Sequence, residues 1–107
     1  MNIENTKAQM RKGILELCIL ATIAKKQTYS SEILNRLKES QLLVVEGTLY
    51  PLLTRLKNAS LLDYKWEESK SGPPRKYFTI TQEGKTFLKE LNVSWSELSQ
   101  AVNTLIK

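Results

Sequence analysis

A mainly helical α+β fold is predicted for this chain: three helices, a two-stranded hairpin and one long final helix. Three observations carry that prediction. Apolar residues recur at helical spacing from Met10 to Leu56, and the period switches to two over Leu62–Ile80. A heptad spacing then runs from Leu88 to Leu105. The 107 residues suit one domain, expected as residues 1–81 with a dimerisation helix over 82–107.

The first helix is expected over residues 5–26. Met10, Ile14, Leu17, Cys18 and Ala21 fall on one side, while Leu15, Ile19 and Ile23 lie on another. A helix apolar nearly all round must be covered on more than one face. A partner subunit is the expected second cover, meeting Leu15 and Ile19. The second helix, over 30–40, has Ser30 as its expected cap and Tyr29 with Leu34 as a staple across it. Ile33, Leu34 and Leu37 form its buried stripe. The third helix, over 46–59, turns Leu49, Leu52, Leu53 and Leu56 inward. Thr48, Pro51, Thr54, Arg55 and Asn58 are left outside, with Tyr50 flanking them. Proline is comfortable only in a first turn, so Pro51 demands either a late helix start or one lost hydrogen bond.

Leu62, Tyr64 and Trp66 then alternate with Asp63, Lys65 and Glu67. Strands are expected over 62–68 and 75–80, joined by the turn Ser69-Lys70-Ser71-Gly72-Pro73-Pro74. The Gly and prolines should keep this turn off the sheet ladder. Trp66 is expected in the packing of the hairpin with Tyr64. Thr81 can cap the last helix, whose Leu88, Leu91, Trp95, Leu98, Val102 and Leu105 are spaced 3, 4, 3, 4, 3. That seam is the pattern of a helix packed lengthwise on another helix.

The formal charge is +5, from 16 Lys and Arg against 11 acids, which favours a polyanionic partner. Ser69–Lys76 carries three basic residues and no acid, whereas the charges cancel over Gln82–Lys107. There is no His, and no Cys or carboxylate cluster takes its place. No catalytic residue, metal ligand or cofactor is therefore assigned. The single Cys18 cannot form an internal disulfide and reads as a small buried hydrophobe. The longest apolar stretch, Gly13–Ala24, is interrupted by Glu16 and Thr22, so no membrane span is expected and the cytoplasm is the default.

Helices two and three, a turn between them, and a basic hairpin after them make a winged helix-turn-helix. A recognition helix needs one apolar face for anchorage and short polar or basic side chains to meet base edges. Arg55 can pair bidentately with guanine; Thr48 and Thr54 can bond bases or touch a thymine methyl. Lys70, Arg75 and Lys76 on the wing bring charge to phosphates, and Gly72 allows close backbone approach. Ser30, Ser31, Tyr50, Pro51 and Ser71 complete the expected DNA-contacting set. The expected partner is an operator with two half-sites roughly one helical turn, about 10 base pairs, apart. Rival readings are a winged-helix protein–protein interaction module and a dimer that chiefly binds hydrophobic compounds. The missing catalytic groups argue against an enzyme.

Two motifs add to this reading. Glu46-Gly47-Thr48-Leu49-Tyr50-Pro51-Leu52-Leu53 with Arg55-Leu56 comes first. Ser71-Gly72-Pro73-Pro74-Arg75-Lys76-Tyr77-Phe78 with Thr81 and Gly84 follows. Together they resemble the PadR family of bacterial transcriptional regulators, over nearly the whole chain, in its compact branch with one short C-terminal helix. The resemblance implies a homodimer built on the C-terminal helix, repression, and release of DNA on binding a small molecule. It also implies a ligand role for Trp95, since a Trp at this place stacks on flat aromatic compounds in drug-sensing members. Phe78 stands where a second Tyr is common, Ser60 where a Gly usually closes the recognition helix, and Val44-Val45 where a polar cap is expected.

Overall fold

The computed structural model describes residues 1–107, in which Gly13 divides the first helical stretch in two. Helix α1 (Ile3–Lys12) and helix α2 (Leu15–Lys25) replace the single helix expected over 5–26. Glycine is a poor helix former, and the Ile14 N–H turns back to the Arg11 carbonyl at 3.1 Å, one residue short of helical spacing. The amide oxygen of Asn2 caps the start of α1 through the N–H groups of Glu4 and Asn5. No residue of α1 is buried, whereas α2 sends Leu15, Ile19, Leu20 and Ile23 inward.

Strand β1 (Thr28–Tyr29), helix α3 (Ser30–Glu39), helix α4 (Glu46–Asn58), strands β2 (Leu62–Ser69) and β3 (Gly72–Ile80), and helix α5 (Gln82–Ile106) follow. The core joins α2 to Ile33 and Leu37 of α3, to Leu49, Leu53 and Leu56 of α4, and to Leu61, Leu62 and Phe78. Each such Leu or Ile contributes roughly 1.5–3 kcal/mol of burial. Helix α2 packs against α3, β3 and α5, and Leu15, Ile19, Leu20 and Ile23 are buried within one chain, while Leu17, Cys18 and Ala21 stay half-buried. This corrects the interface expected for Leu15 and Ile19, which are 4% and 0% exposed and face their own subunit.

Both helices of the helix-turn-helix end in a left-handed residue without glycine. Gln41 (φ 68°) lets the Leu42 N–H reach the Leu37 carbonyl at 2.8 Å, and Ser60 (φ 65°) lets Leu61 reach Leu56 at 3.0 Å. The left-handed cap is thus kept at Ser60 although the usual Gly is absent. Helix α4 starts at Glu46 and runs through Pro51, so the lost-bond alternative holds. The carbonyl that goes without a helical partner belongs to Gly47, an exposed residue.

The sheet order is β1-β3-β2, all antiparallel. The turn shrinks to Lys70-Ser71, and Pro73 and Pro74 lie within β3 rather than off the ladder. Glu67 pairs with Arg75 and Ser69 with Gly72, so β3 advances three residues while β2 advances two. This bulge absorbs the prolines, which have no N–H to donate. Strand β1, two residues long, pairs Thr28 with Phe78 and Tyr29 with Tyr77.

Thr81 and Gly84 fix where α5 leaves the body. The Thr81 N–H donates to the Leu61 carbonyl at 3.1 Å. The Thr81 hydroxyl donates to the Ser60 carbonyl at 2.7 Å, with the Leu61 carbonyl also within reach, and accepts the Gly84 N–H at 2.9 Å. A methyl on Gly84 would collide with the Leu61 carbonyl oxygen and the Ile80 side chain. Leu88 and Leu91 of α5 are half-buried against the core. No helix is long and apolar enough to cross a membrane.

Two substitutions should move stability in opposite directions. In urea denaturation, Gly84→Ala is expected to cost about 1–3 kcal/mol by overpacking. Ser60→Gly should gain about 1 kcal/mol by relieving the left-handed strain. A neutral Gly84→Ala would show that the close approach at Leu61 is not a constraint.

Candidate nucleic-acid interface

Helix α4 and the β2–β3 wing enclose an open groove of about 580 Å³. Its floor is Leu53 and Phe78, and its walls carry Tyr29, Ser30, Ser31, Tyr50, Thr54, Lys57, Asn58, Tyr64, Trp66, Pro74, Arg75 and Lys76. No acidic residue lines it. Of the residues expected at DNA, the fold brings together Ser30, Ser31, Tyr50, Thr54, Arg75 and Lys76. Thr48, Pro51 and Arg55 are exposed on α4 outside the groove lining, and Lys70, Ser71 and Gly72 are exposed around the wing turn.

Each contributor is held by local structure. Ser30 is the first residue of α3 rather than its cap; Tyr29 occupies the cap position and is held in the sheet. The freed Ser30 hydroxyl meets the Tyr50 hydroxyl at 3.1 Å, tying the start of α3 to α4. Arg36 donates to the Thr22 carbonyl at 3.1 Å and to Glu32 at 2.7 Å, anchoring α3 on the end of α2. The Arg75 guanidinium lies 4.4 Å from the centre of the Tyr29 ring, and the Lys76 ammonium 4.0 Å from that of Tyr64.

The charge of this face is left open. Ion pairs join Lys7 to Glu4, Arg36 to Glu32, Arg55 to Glu16 and Lys65 to Glu67. Lys57, Lys70, Arg75 and Lys76 make none, so their field is available to an anion. Arg55 is the exception on α4: its guanidinium leans 3.6 Å from Glu16 on α2, and remains 72% exposed. Exposed pairs of this kind are weak and easily exchanged for another anion. Partial burial pushes the Cys18 thiol above its usual range, which favours the protonated form.

Six wall residues lie outside the set expected at DNA: Tyr29, Lys57, Asn58, Tyr64, Trp66 and Pro74. Lys57 and Asn58 follow Thr54 by three and four residues, the spacing that keeps one helix face, and this signal was present. Trp66 was assigned to wing packing. It is instead 63% exposed on the groove side, because its partner across the ladder is Lys76 rather than an apolar residue.

On α5, Leu88 and Leu91 lean on the subunit's own α2 side, while Trp95, Leu98, Val102 and Leu105 stand 44–85% exposed. Ile3 and Met10 of α1 are exposed as well. These apolar surfaces have no partner within the chain.

A profile of the transcriptional regulator PadR-like family matches residues 19–90, which hold the core, α4, the wing and the Thr81–Gly84 junction. The chain belongs to the PadR-like family. A PadR-like transcription factor from Bacteroides fragilis is 57% identical, with a TM-score of 0.78 over 94% of this chain and 98% of that one. A PadR-family regulator from Eggerthella lenta is 28% identical with a TM-score of 0.89, over 98% and 92%. A PadR-like regulator from Bacillus cereus is 39% identical with a TM-score of 0.82, over 92% and 97%. PadR-like proteins are transcriptional regulators that bind DNA, not enzymes. The winged-helix architecture of this PadR-like chain is therefore that of its family.

The Arg55–Glu16 contact yields a test. Glu16→Gln releases the guanidinium and should tighten binding to a DNA duplex severalfold at low salt, with the gap closing as salt rises. Equal affinity across the salt range would show that the Glu16 pair does not restrain Arg55 at DNA; a further Arg55→Ala variant that binds like the native protein would remove Arg55 from the DNA-contacting set.

Proposed function

We propose that this PadR-like chain acts inside the cell as a dimeric, sequence-specific repressor. Helix α4 enters a major groove, and the wing lies along the neighbouring backbone. The observation that carries this reading is the groove between α4 and the wing, rich in hydroxyls and unpaired cations and free of acids. Hydroxyls and helix starts suit phosphate oxygens, and the exposed Thr48, Pro51 and Arg55 on α4 suit base edges. Lys70, Ser71 and Gly72 extend the contact outward. A side chain at Gly72 would meet nothing within 4 Å in its own chain, so the backbone there is open to an external surface.

The second copy packs along Trp95, Leu98, Val102 and Leu105, with the nearer Leu88 and Leu91 at the margin. A symmetric pairing presents two α4 helices, matched to two half-sites about one helical turn apart. Trp95, 44% exposed on that seam, is the proposed platform for a flat aromatic effector held between the copies. An effector that spreads or tilts the copies weakens simultaneous docking and releases the DNA.

Fluorescence anisotropy against the DNA upstream of its own gene, titrated across salt with an unrelated duplex as control, tests the main reading. Preference for the upstream DNA, with dimer stoichiometry and steep loss with salt, is expected; equal binding to both duplexes overturns sequence specificity. Val102→Lys should give a folded monomer in sedimentation and lose most of that affinity; an unaltered dimer would move the interface elsewhere. Flat aromatic cations or neutral dyes should quench tryptophan emission in the native protein and much less in Trp95→Phe. Equal quenching in both would discard the Trp95 platform.

A further inference from the structure

The wing holds its two adjacent cations in the same way on opposite faces. Strand alternation sends Arg75 to one face and Lys76 to the other. On the first face Arg75 lies over Tyr29, whose ring meets Tyr77 edge-on at 5.3 Å. On the second, the ladder sets Trp66 directly opposite Lys76 and Tyr64 opposite Phe78. The Lys76 ammonium sits 4.0 Å from the centre of the Tyr64 ring, 5.4 Å from Trp66 and 6.0 Å from Phe78. Tyr64 and Trp66 stand nearly perpendicular, 6.5 Å apart, so Lys76 rests in a corner made of two rings.

The choice of holder has a consequence for charge. A carboxylate could fix a lysine equally well, but it would cancel the charge and repel a phosphate. An aromatic ring fixes the ammonium through its quadrupole and leaves the full positive charge facing outward. Glu67, across the ladder from Arg75, is engaged by Lys65 at 3.2 Å, and none of the acids of β2 pairs with Lys76. Trp66 is 63% exposed, so burial of its indole does not explain its presence. A free lysine stem must be ordered when it meets a fixed anion; one already held loses less freedom.

We propose that Trp66, together with Tyr64, is a positioning residue that pre-orders Lys76 for a DNA phosphate beside the wing. This rests on the DNA-binding reading and deepens it. Trp66 acts through Lys76, so its contribution should vanish when Lys76 is absent.

The test does not require a known operator, because phosphate contacts are sequence-independent. Binding of a mixed-sequence duplex at low salt is measured for the native protein, Trp66→Ala, Trp66→Phe, Lys76→Ala and the double variant Trp66→Ala/Lys76→Ala. Lys76→Ala should make the dependence of log affinity on log salt shallower by about one. Trp66→Ala should weaken binding roughly three- to tenfold, Trp66→Phe should restore most of that, and the double variant should bind like Lys76→Ala alone. An equal loss from Trp66→Ala in both backgrounds would mean that the indole touches DNA directly. No loss at all would mean that it plays no part; either result overturns the proposal. In the DNA-free protein, the ε-methylene protons of Lys76 should be shifted upfield by ring currents and return towards ordinary values in Trp66→Ala. Ordinary shifts in the native protein would show that the cradle does not form. Should the native protein bind no duplex even at low salt, the DNA reading fails first, while the proton shifts still decide the cradle.

Discussion

The fold turns on the missing side chain at Gly84. Only a glycine lets the first turn of α5 lie against the Leu61 carbonyl, where the chain leaves α4, and beside Ile80, where it leaves the sheet. The Thr81 hydroxyl closes the same crossing by bonding the end of α4 on one side and the first turn of α5 on the other. Two segments distant in sequence, residues 60–61 and 80–84, are thereby locked at one point. The left-handed turn at Ser60 delivers Leu61 to that point, and the return of β3 delivers Thr81. The angle between α4 and the wing follows, and with it the width of the groove between them.

Charge is distributed by the same economy. Of the eleven acids, four are matched to bases, at Lys7, Arg36, Arg55 and Lys65. The cations that remain unpaired include the wing pair, whose supports are neutral rings. The groove therefore combines rigid side chains with an uncompensated field. Such a surface meets an anion with little reorganisation, which is the general requirement for tight electrostatic recognition.

The elements were largely legible in the sequence, since periodicity reports which face of a helix or strand is buried. Ile33 with Leu37, and Leu49 with Leu53 and Leu56, marked the inner faces of α3 and α4 well. Features that depend on distant parts of the chain were not legible. Leu15 and Ile19 looked like interface residues because an apolar surface carries no mark of which neighbour will cover it; other elements of the same chain do so. Pro73 and Pro74 looked like a loop because their acceptance into β3 depends on a bulge in the register with β2. Strand β1 is too short to show a period. For the site, the motif residues were found by type, but the grouping of Tyr29, Lys57 and Trp66 with Arg75 and Lys76 required the register of the hairpin and the packing of α4 beneath it.

Helix α5 is 25 residues long, yet only its first turns, through Leu91, rest on the body. The arm beyond Leu91, residues 92–106, is roughly 22 Å long at the usual rise per residue, so it is a lever whose fulcrum is the seat of Leu88 and Leu91. A tilt of about 8° at that fulcrum carries the far end about 3 Å. A small change in how those two leucines seat is thereby magnified at the end of the arm.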